Sequence, residues 1–541
     1  MKKILTVVFT ILLATGLVYA PYAAGAQETK KTSVKVKKAK KNKKANSTKK
    51  SEKNAESENV KPAAGKAVET PDAAAANIKP DESKQPDAKK AETNLSPGGD
   101  RERETYIPRS SDIQNLLFAS NDMNYLVPRD LASKWGLVLG YNYYKFVDED
   151  KSSALTDSPS GADSPDFRFW LSKKLDNNDS YYARIRYARL NLHDDNNLAQ
   201  PNSKNIGIKF DMLYYTFNRW PDMNIKIGRQ FLRVGRGFTY ANIHDGLYID
   251  KFYPEWVLSA FAARTQPRES NNDQSNGGYL NRSYRDFYGF QADYLGLKNK
   301  KVYGYVLSER DGGVKIPYTT KDYTYNASFF GIGMDGSFKP NWPYYFEYVI
   351  QNGRTASTDA QTGTDPIKAS AYYLGSEYYF KNNPCKPFLT LEYAHASGDP
   401  DRTSVTNVAG GNLAGTNDKN FMPFGIYDLG LALHPRFSNI NVFKFGGFFK
   451  PFHKSSNLKE LQLGAKYMIY TKDNANGFIS DTLATVTDKN IGNGYDLYLT
   501  WRAYSDTLFY VNYGVFSPGN AYPAGKRDRT KLINVGTTLF F

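Results

Sequence analysis

From about Trp135 to Phe541 the chain divides into about eighteen short segments of alternating polarity whose connections are by turns tight and long. The tight connections are Asp176 to Asp179, Arg219 to Asp222, Phe252 to Glu255, Gly296 to Lys300, Lys339 to Trp342, Lys381 to Pro384, Pro451 to Asn457 and Tyr504 to Thr507. They carry the Asn, Asp, Gly and Pro that turns favour. Between them lie Val147 to Pro165, His193 to Asn205, Gln266 to Tyr284, Glu309 to Asn326, Gly353 to Lys368, Ser397 to Asn439, Thr471 to Gly494 and Ser517 to Lys531. A soluble sandwich has no reason to sort its loops by parity. A barrel with one end toward the periplasm and the other outside does, so the rhythm predicts an all-β fold: a closed antiparallel transmembrane β-barrel of about 18 strands.

Composition agrees with that reading. Tyr (41) and Phe (32) raise the aromatic share to 15%, yet mean hydropathy is -0.60. Beyond the N-terminus no apolar run approaches the ~20 residues a membrane helix requires, which excludes a helical membrane protein. In a barrel only alternate residues face lipid, so the average is hydrophilic while aromatics gather at the interfaces.

The N-terminal 26 residues read as an export signal: Lys2 and Lys3, an apolar stretch from Ile4 to about Ala20, and Ala24, Gly25 and Ala26 as the cleavage site. Residues 27–104 are Lys, Ala, Asn, Glu and Pro with almost no large apolar side chain, so they cannot offset the entropy of ordering and are expected to be a disordered periplasmic tail. That tail supplies a large share of the net charge of +16, so a pI of 9.3 is no argument for nucleic-acid binding. It could meet cell wall, lipid or a periplasmic export partner, or act as a solvated tether. Residues 105–134 are expected to be a short periplasmic segment, and 135–541 the barrel. The single cysteine, Cys385, cannot close an intramolecular disulfide, so stability must come from the hydrogen-bonded ladder.

Alternation fixes the faces of several strands. In Tyr495 to Arg502, Tyr495, Leu497, Leu499 and Trp501 suit lipid, and Asp496, Tyr498, Thr500 and Arg502 suit a wet lumen. Phe509, Val511, Tyr513 and Val515 repeat the pattern, and so do Ile533, Val535, Leu539 and Phe541. A terminal Phe on an amphipathic strand resembles the signal read by the outer-membrane assembly machinery. The chain is therefore placed in the outer membrane of a Gram-negative-type bacterium.

A charge facing mid-membrane lipid costs about 2 to 4 kcal/mol for Arg or Lys, so charges inside strands are expected to point inward. Parity places Arg184, Arg186, Lys209, Asp211, Lys226, Arg264, Glu347, Glu377, Glu392, Lys444, Lys466 and Arg502 in the lumen. Arg229 shares a parity with Ile225 and Ile227, and a bulge at Gly228 is expected to return it inward. The densest basic run is Arg229, Gln230, Arg233 and Arg236. With Arg184, Arg186 and Arg189 it would form a positive constriction for an acidic solute, because guanidinium forks bind carboxylates and keep their charge. The competing reading is that lumenal Arg and Glu pair simply to fill the barrel. The loop from Ser397 to Asn439 could fold inward as a constriction. Its Asp399, Asp401, Asn417 and Asp418 could hold a structural calcium, although their spacing matches no EF-hand, and otherwise no cofactor or metal is expected.

Two stretches point to a family. Gly228, Arg229 and Gln230, followed by Gly235 and then Asp245, Gly246 and Leu247, resemble the "GRQ … DG" signature of the alginate export family of outer-membrane barrels. Glu392 to Asp399 (EYAHASGD), with Phe421 and Tyr427 downstream, is similar to that family's "Y-A-x-A-S-G-D" strand-to-loop element. The resemblance covers roughly Trp135 to Phe541. It implies an 18-stranded monomeric barrel with an arginine-rich, electropositive lumen that passes an acidic polysaccharide outward, with Arg229 and its neighbours at the narrow zone. The Lys-rich tail is not part of that family's core, and Glu347, Glu377 and Glu392 are interspersed with the arginines.

The expected function is thus a passive outer-membrane channel for an anionic solute, an alginate-like polysaccharide first. The neighbouring reading is a general or anion-preferring porin for small anions. A transporter with a folded plug is disfavoured because the N-terminal region lacks apolar core strands. An enzyme would need a nucleophile, base and orienting group in one context, and the five His at 193, 244, 395, 434 and 453 supply none. An adhesin would use the long outer loops and the basic tail.

Overall fold

The protein is described by a computed structural model over residues 133–152, 161–175, 178–193, 203–266, 284–311, 325–357, 364–402, 405 and 412–541. The expected export signal, the Lys-rich tail and all but the last two residues of the 105–134 segment lie outside the described residues.

The strands are β1 (Ser133–Val147), β2 (Gly161–Lys174), β3 (Ser180–His193), β4 (Ser203–Trp220), β5 (Met223–Val234), β6 (Tyr240–Phe252), β7 (Trp256–Arg264), β8 (Arg285–Tyr294) and β9 (Lys300–Asp311). They continue as β10 (Tyr325–Lys339), β11 (Trp342–Ala356), β12 (Thr364–Tyr379), β13 (Phe388–Ala396), β14 (Ile440–Phe449), β15 (Leu461–Thr471), β16 (Asn490–Tyr504), β17 (Thr507–Pro518) and β18 (Thr530–Phe540). Each pairs antiparallel with its sequence neighbours, and β1 pairs with both β2 and β18, so the sheet closes on itself as an 18-stranded barrel. Closure leaves no edge strand, which is what a sheet surrounded by lipid requires.

The period-2 pattern sorts the two faces as the strand sequences dictate. On β16 Tyr495 and Leu497 are exposed outward, whereas Asp496 and Tyr498 are buried inward. Five of the six tryptophans, Trp135, Trp220, Trp256, Trp342 and Trp501, lie at the tight-turn ends of their strands. That is the girdle expected of amphipathic rings at headgroup level. Trp342 donates its indole N–H to Ser376 Oγ at 2.8 Å and Trp501 to the Asn457 carbonyl at 3.0 Å.

Loop parity has one exception. The β5–β6 connection lies at the end of the long loops yet consists only of residues 235–239. The reason is that this hairpin leaves the wall. Strand β5 pairs with β4 no further than Arg229, and β6 pairs with β7 only from Asp245 onward. Past those points Gln230–Val234 and Tyr240–His244 pair with each other and with neither β4 nor β7, Tyr240 also bridging to Phe424.

Candidate functional site

Two insertions occupy the lumen. The first is the β5–β6 hairpin. At its tip the backbone N–H of Gly235 donates to Gln291 Oε1 at 2.8 Å and that of Arg236 to Glu347 Oε2 at 2.9 Å. Gly235 has φ +53°, and a Cβ there would sit 2.4 Å from Glu347 Oε1, so the close approach of backbone to carboxylate needs glycine. The second insertion is the described part of the β13–β14 connection, residues 397–402, 405 and 412–439. Phe424 N–H donates to the Thr239 carbonyl at 2.8 Å and Ile426 N–H to the Gly237 carbonyl at 3.1 Å, so the loop lies along the hairpin tip. Phe238 from the hairpin packs against Tyr373 of the wall and against Phe421, Tyr427 and Phe437 of the loop. Truncating such a buried ring costs about 3 to 5 kcal/mol.

The loop is tethered at both ends of its path. At its root the Ser397 carbonyl accepts from both Phe421 N–H (3.0 Å) and Asn439 N–H (3.2 Å), and Gly398 N–H donates to Asp473 at 3.0 Å. Arg402 and Asp418 form a fully buried ion pair at 2.5 Å. At its far side Lys466 meets the Asp428 carboxylate at 2.7 Å and Lys444 Nζ the Asp428 carbonyl at 2.6 Å. Leu431 N–H donates to Asp496 at 3.0 Å, and the His434 ring lies 5.6 Å from that of Phe146 on β1. Burial pushes the Asp428 carboxyl up, but Lys466 and Lys444 outweigh it and hold the group at about 2.

The walls around these insertions differ in charge. On β2 to β4, Arg168 and Arg186 share Asp166, at 2.6 and 2.8 Å, and Arg184 holds Asp211 at 2.7 Å. A register shift between Arg184 and Ile185 places Asp211 as an extra residue on β4, which turns it to Arg184. Across the lumen, carboxylates sit among tyrosines. Glu347 accepts from Tyr303 (2.7 Å) and Tyr305 (2.6 Å), and Glu392 accepts from Tyr345 and Tyr427, each at 2.6 Å, and pairs with Lys444. Arg236 reaches Asp335 at 2.8 Å, with its guanidinium 4.2 Å from the centre of the Tyr345 ring. Hydroxyl donors satisfy a buried carboxylate without adding charge.

The sequence-derived site residues are thus distributed. Arg184, Arg186, Lys444 and Glu392 face inward in the ion pairs above, and Arg236 lies at the hairpin tip. Arg502 pairs in register with the inward Leu508 near a tight turn. Arg233 pairs with Ala241 on the hairpin. Gln230 is buried and donates to the carbonyls of Lys226 (3.2 Å) and Gly246 (3.1 Å), so its amide holds the ladder.

Three expectations require correction. Arg264 is outward: it is in register with Asp245 and Asp286, with its side chain 58% exposed, and bonds Asp286 at 2.6 and 2.9 Å. Arg189 shares the outward parity of Ile185 and Tyr187 and is exposed, because the register shift beside it adds its extra residue to β4 and leaves the alternation of β3 intact. No bulge occurs at Gly228, since both ladders run through it without a shift. Arg229 keeps the register of Leu213 and Asp245 and bonds Asp245 at 3.2 Å; it is buried at the point where the hairpin departs from the wall. Gly228, at φ +124°, faces Gly246 across the ladder, and a Cβ on it would lie 2.2 Å from the Leu213 carbonyl.

Arg168 escaped the sequence reading, although Phe167 and Phe169 on either side mark it as inward. In the loop, Asp399 accepts from the N–H groups of Asp401 and Lys419, both at 2.7 Å, and Asp418 accepts from Arg402 and from Asn420 N–H. The Asp399 and Asp418 carboxylates thus brace the loop root.

A closed barrel with an apolar, aromatic-girdled exterior and a charged interior is a channel of the Gram-negative outer membrane. Residues 199–535, more than half of the chain, match the family described as alginate export, and the chain belongs to that family. No curated protein matches it. Among solved structures it is similar to OccAB4 of Acinetobacter baumannii, at 12% identity over 76% of this chain and 99% of that one, TM-score 0.48. OccK8 (OprE) of Pseudomonas aeruginosa matches at 9% over 76% and 98%, TM-score 0.46. A BenF-like porin from Pseudomonas fluorescens Pf-5 matches at 8% over 76% and 99%, TM-score 0.45.

Proposed function

We propose that this channel passes an anionic solute, an acidic polysaccharide of alginate type first, along the arginine-bearing wall of β2 to β4. The observation that carries the reading is the cluster of Arg168, Arg184 and Arg186, which among the described residues sets three guanidiniums beside two carboxylates, Asp166 and Asp211. Lys209 pairs in register with Arg186 and adds a further cation to that side. Cationic lining favours anionic permeants. Membership in the alginate export family supports the polymer. A smaller acidic solute is the second reading, favoured by the two insertions, which narrow the passage.

The test is single-channel recording of the full-length protein in a planar bilayer, with reversal potential in a salt gradient and then titration with polyuronate and with a neutral glucan. Anion-selective current blocked by polyuronate alone is the expected result. Anion selectivity without polymer block would move the proposal to small acids. Cation selectivity would overturn it, and a bilayer that stays silent would favour an adhesin or enzyme role.

A further inference from the structure

Outside the barrel, near the long-loop ends of β9 to β11, the wall carries a groove of about 610 Å³ between Arg310 and Arg354, with Asn326, Ser328 and Asn352 along it and Phe330 at its edge. The ladder explains how it forms. Asn326 pairs with Arg354, Ser328 with both Ser308 and Asn352, and Phe330 with Val306 and Ile350, so two polar rows sit directly above an apolar one on the outward face. Val306, Phe330, Ile332 and Ile350 are all exposed. Arg310 donates to the Glu309 carbonyl at 3.2 Å, and Arg354 to Thr364 at 2.9 and 3.3 Å. Among the described residues neither meets a carboxylate. Lys368, exposed and in register with Asn352, adds a third cation; the outward Asp286, the register partner of Arg310 on β8, is held on its other side by Arg264.

The opposite, tight-turn rim carries exposed Trp135, Trp220, Trp256 and Trp342. Arginine on a lipid-facing wall costs least at the interface, where the penalty falls to about 0 to 1 kcal/mol. A cationic groove directly above exposed apolar side chains is complementary to an amphiphile that presents a phosphate above its acyl chains. Guanidinium forks bind phosphate in bidentate fashion. We propose that the groove between Arg310 and Arg354 binds the phosphorylated headgroup of an outer-leaflet lipid, whose acyl chains lie along Val306, Phe330, Ile332 and Ile350. The site faces away from the lumen and does not depend on what the channel conducts.

To test it, the full-length protein in a neutral detergent is titrated with a bisphosphorylated glycolipid, with the same lipid dephosphorylated, and with inorganic phosphate, and adducts are read by native mass spectrometry. The phosphorylated lipid is expected to bind wild type roughly 25-fold more tightly than R310Q/R354Q, about a factor of five for each basic residue at an anionic surface. Asn352→Asp sets a carboxylate in the groove without altering either arginine and is expected to weaken binding comparably, so the proposal stays testable should the double variant fail to fold. Equal binding of the dephosphorylated lipid, capture of inorganic phosphate in place of lipid, or undiminished lipid binding by Asn352→Asp would each overturn it.

Discussion

Arg184 on β3 and Arg310 on β9 are the same side chain in strands of one closed sheet, yet their surroundings are opposite. Arg184 is 1% exposed and is held by Asp211 through its Nε and Nη2 at 2.7 to 3.0 Å. Arg310 stands on the lipid side of the wall and donates to a backbone carbonyl. Strand phase accounts for the difference. A guanidinium turned into the packed lumen must be matched by a carboxylate, because an uncompensated buried charge is prohibitive. One turned outward near the rim can keep its charge for the headgroup layer. Lumenal arginine is therefore partnered by carboxylate, as Arg168, Arg184 and Arg186 are by Asp166 and Asp211, whereas among the described residues the outward Arg310 and Arg354 meet none.

The sharpest way to break this contrast is Asp211→Asn, which leaves Arg184 buried without its counter-charge. A loss of about 3 to 5 kcal/mol is expected in urea unfolding of the refolded barrel. Arg264→Ser, which breaks an outward and largely exposed pair, should stay within about 1 kcal/mol in the same assay. Equal losses would mean that the two faces do not differ as described.

Gly398→Ala probes the tether of the lumenal loop. A Cβ at Gly398 would lie 1.8 Å from Asn439 Oδ1, so the loop root should open and single-channel conductance rise. Unchanged conductance would place the narrowest point elsewhere. Arg186→Ser should lower the anion-to-cation permeability ratio by roughly fivefold, the effect of one charge at contact distance in water. Arg264→Ser should leave that ratio alone, and a drop would put Arg264 on the conduction path.

The smallest effect concerns pH. Asp428 has its folded pKa at about 2, below the ordinary carboxylate value of 3.8. Its contribution to holding the loop is complete above that ordinary value and is lost as pH falls through about 2. The Asp428 tether should therefore contribute no change in conductance between pH 7 and about 4, and a step within that range would assign the loop's hold to another group.

Much of this could be read without coordinates. The strand count, the closed topology and the outward rows on β16 to β18 follow from alternation and turn chemistry. The inward placement of Arg184, Arg186, Glu347 and Glu392 follows from parity alone. Parity misled at Arg264 because the cost of a lipid-facing charge was applied as if every strand position lay at mid-membrane, whereas Arg264 ends its strand. Arg189 was taken with its two inward neighbours, although it has the opposite parity. At Arg229 a glycine with positive φ was expected to shift the phase, but what it permits is a bend that lifts the hairpin off the wall.

Both family signatures lie at the roots of the lumenal insertions. Gly228, Arg229, Asp245 and Gly246 sit where the hairpin departs, and Ser397, Gly398 and Asp399 clasp the base of the loop. The motifs are short and their positions in sequence carry no sign of that role. Alternation is a local property, since each residue's face follows from its neighbours, and so the sequence by itself determined the barrel, its polarity and most of its lumenal charges. Which carboxylate meets which arginine, how the hairpin and the loop lie against each other, and the groove between Arg310 and Arg354 join residues from separate strands. Only the register of paired strands and the packing of the insertions bring those residues together, so the tertiary structure alone decided them.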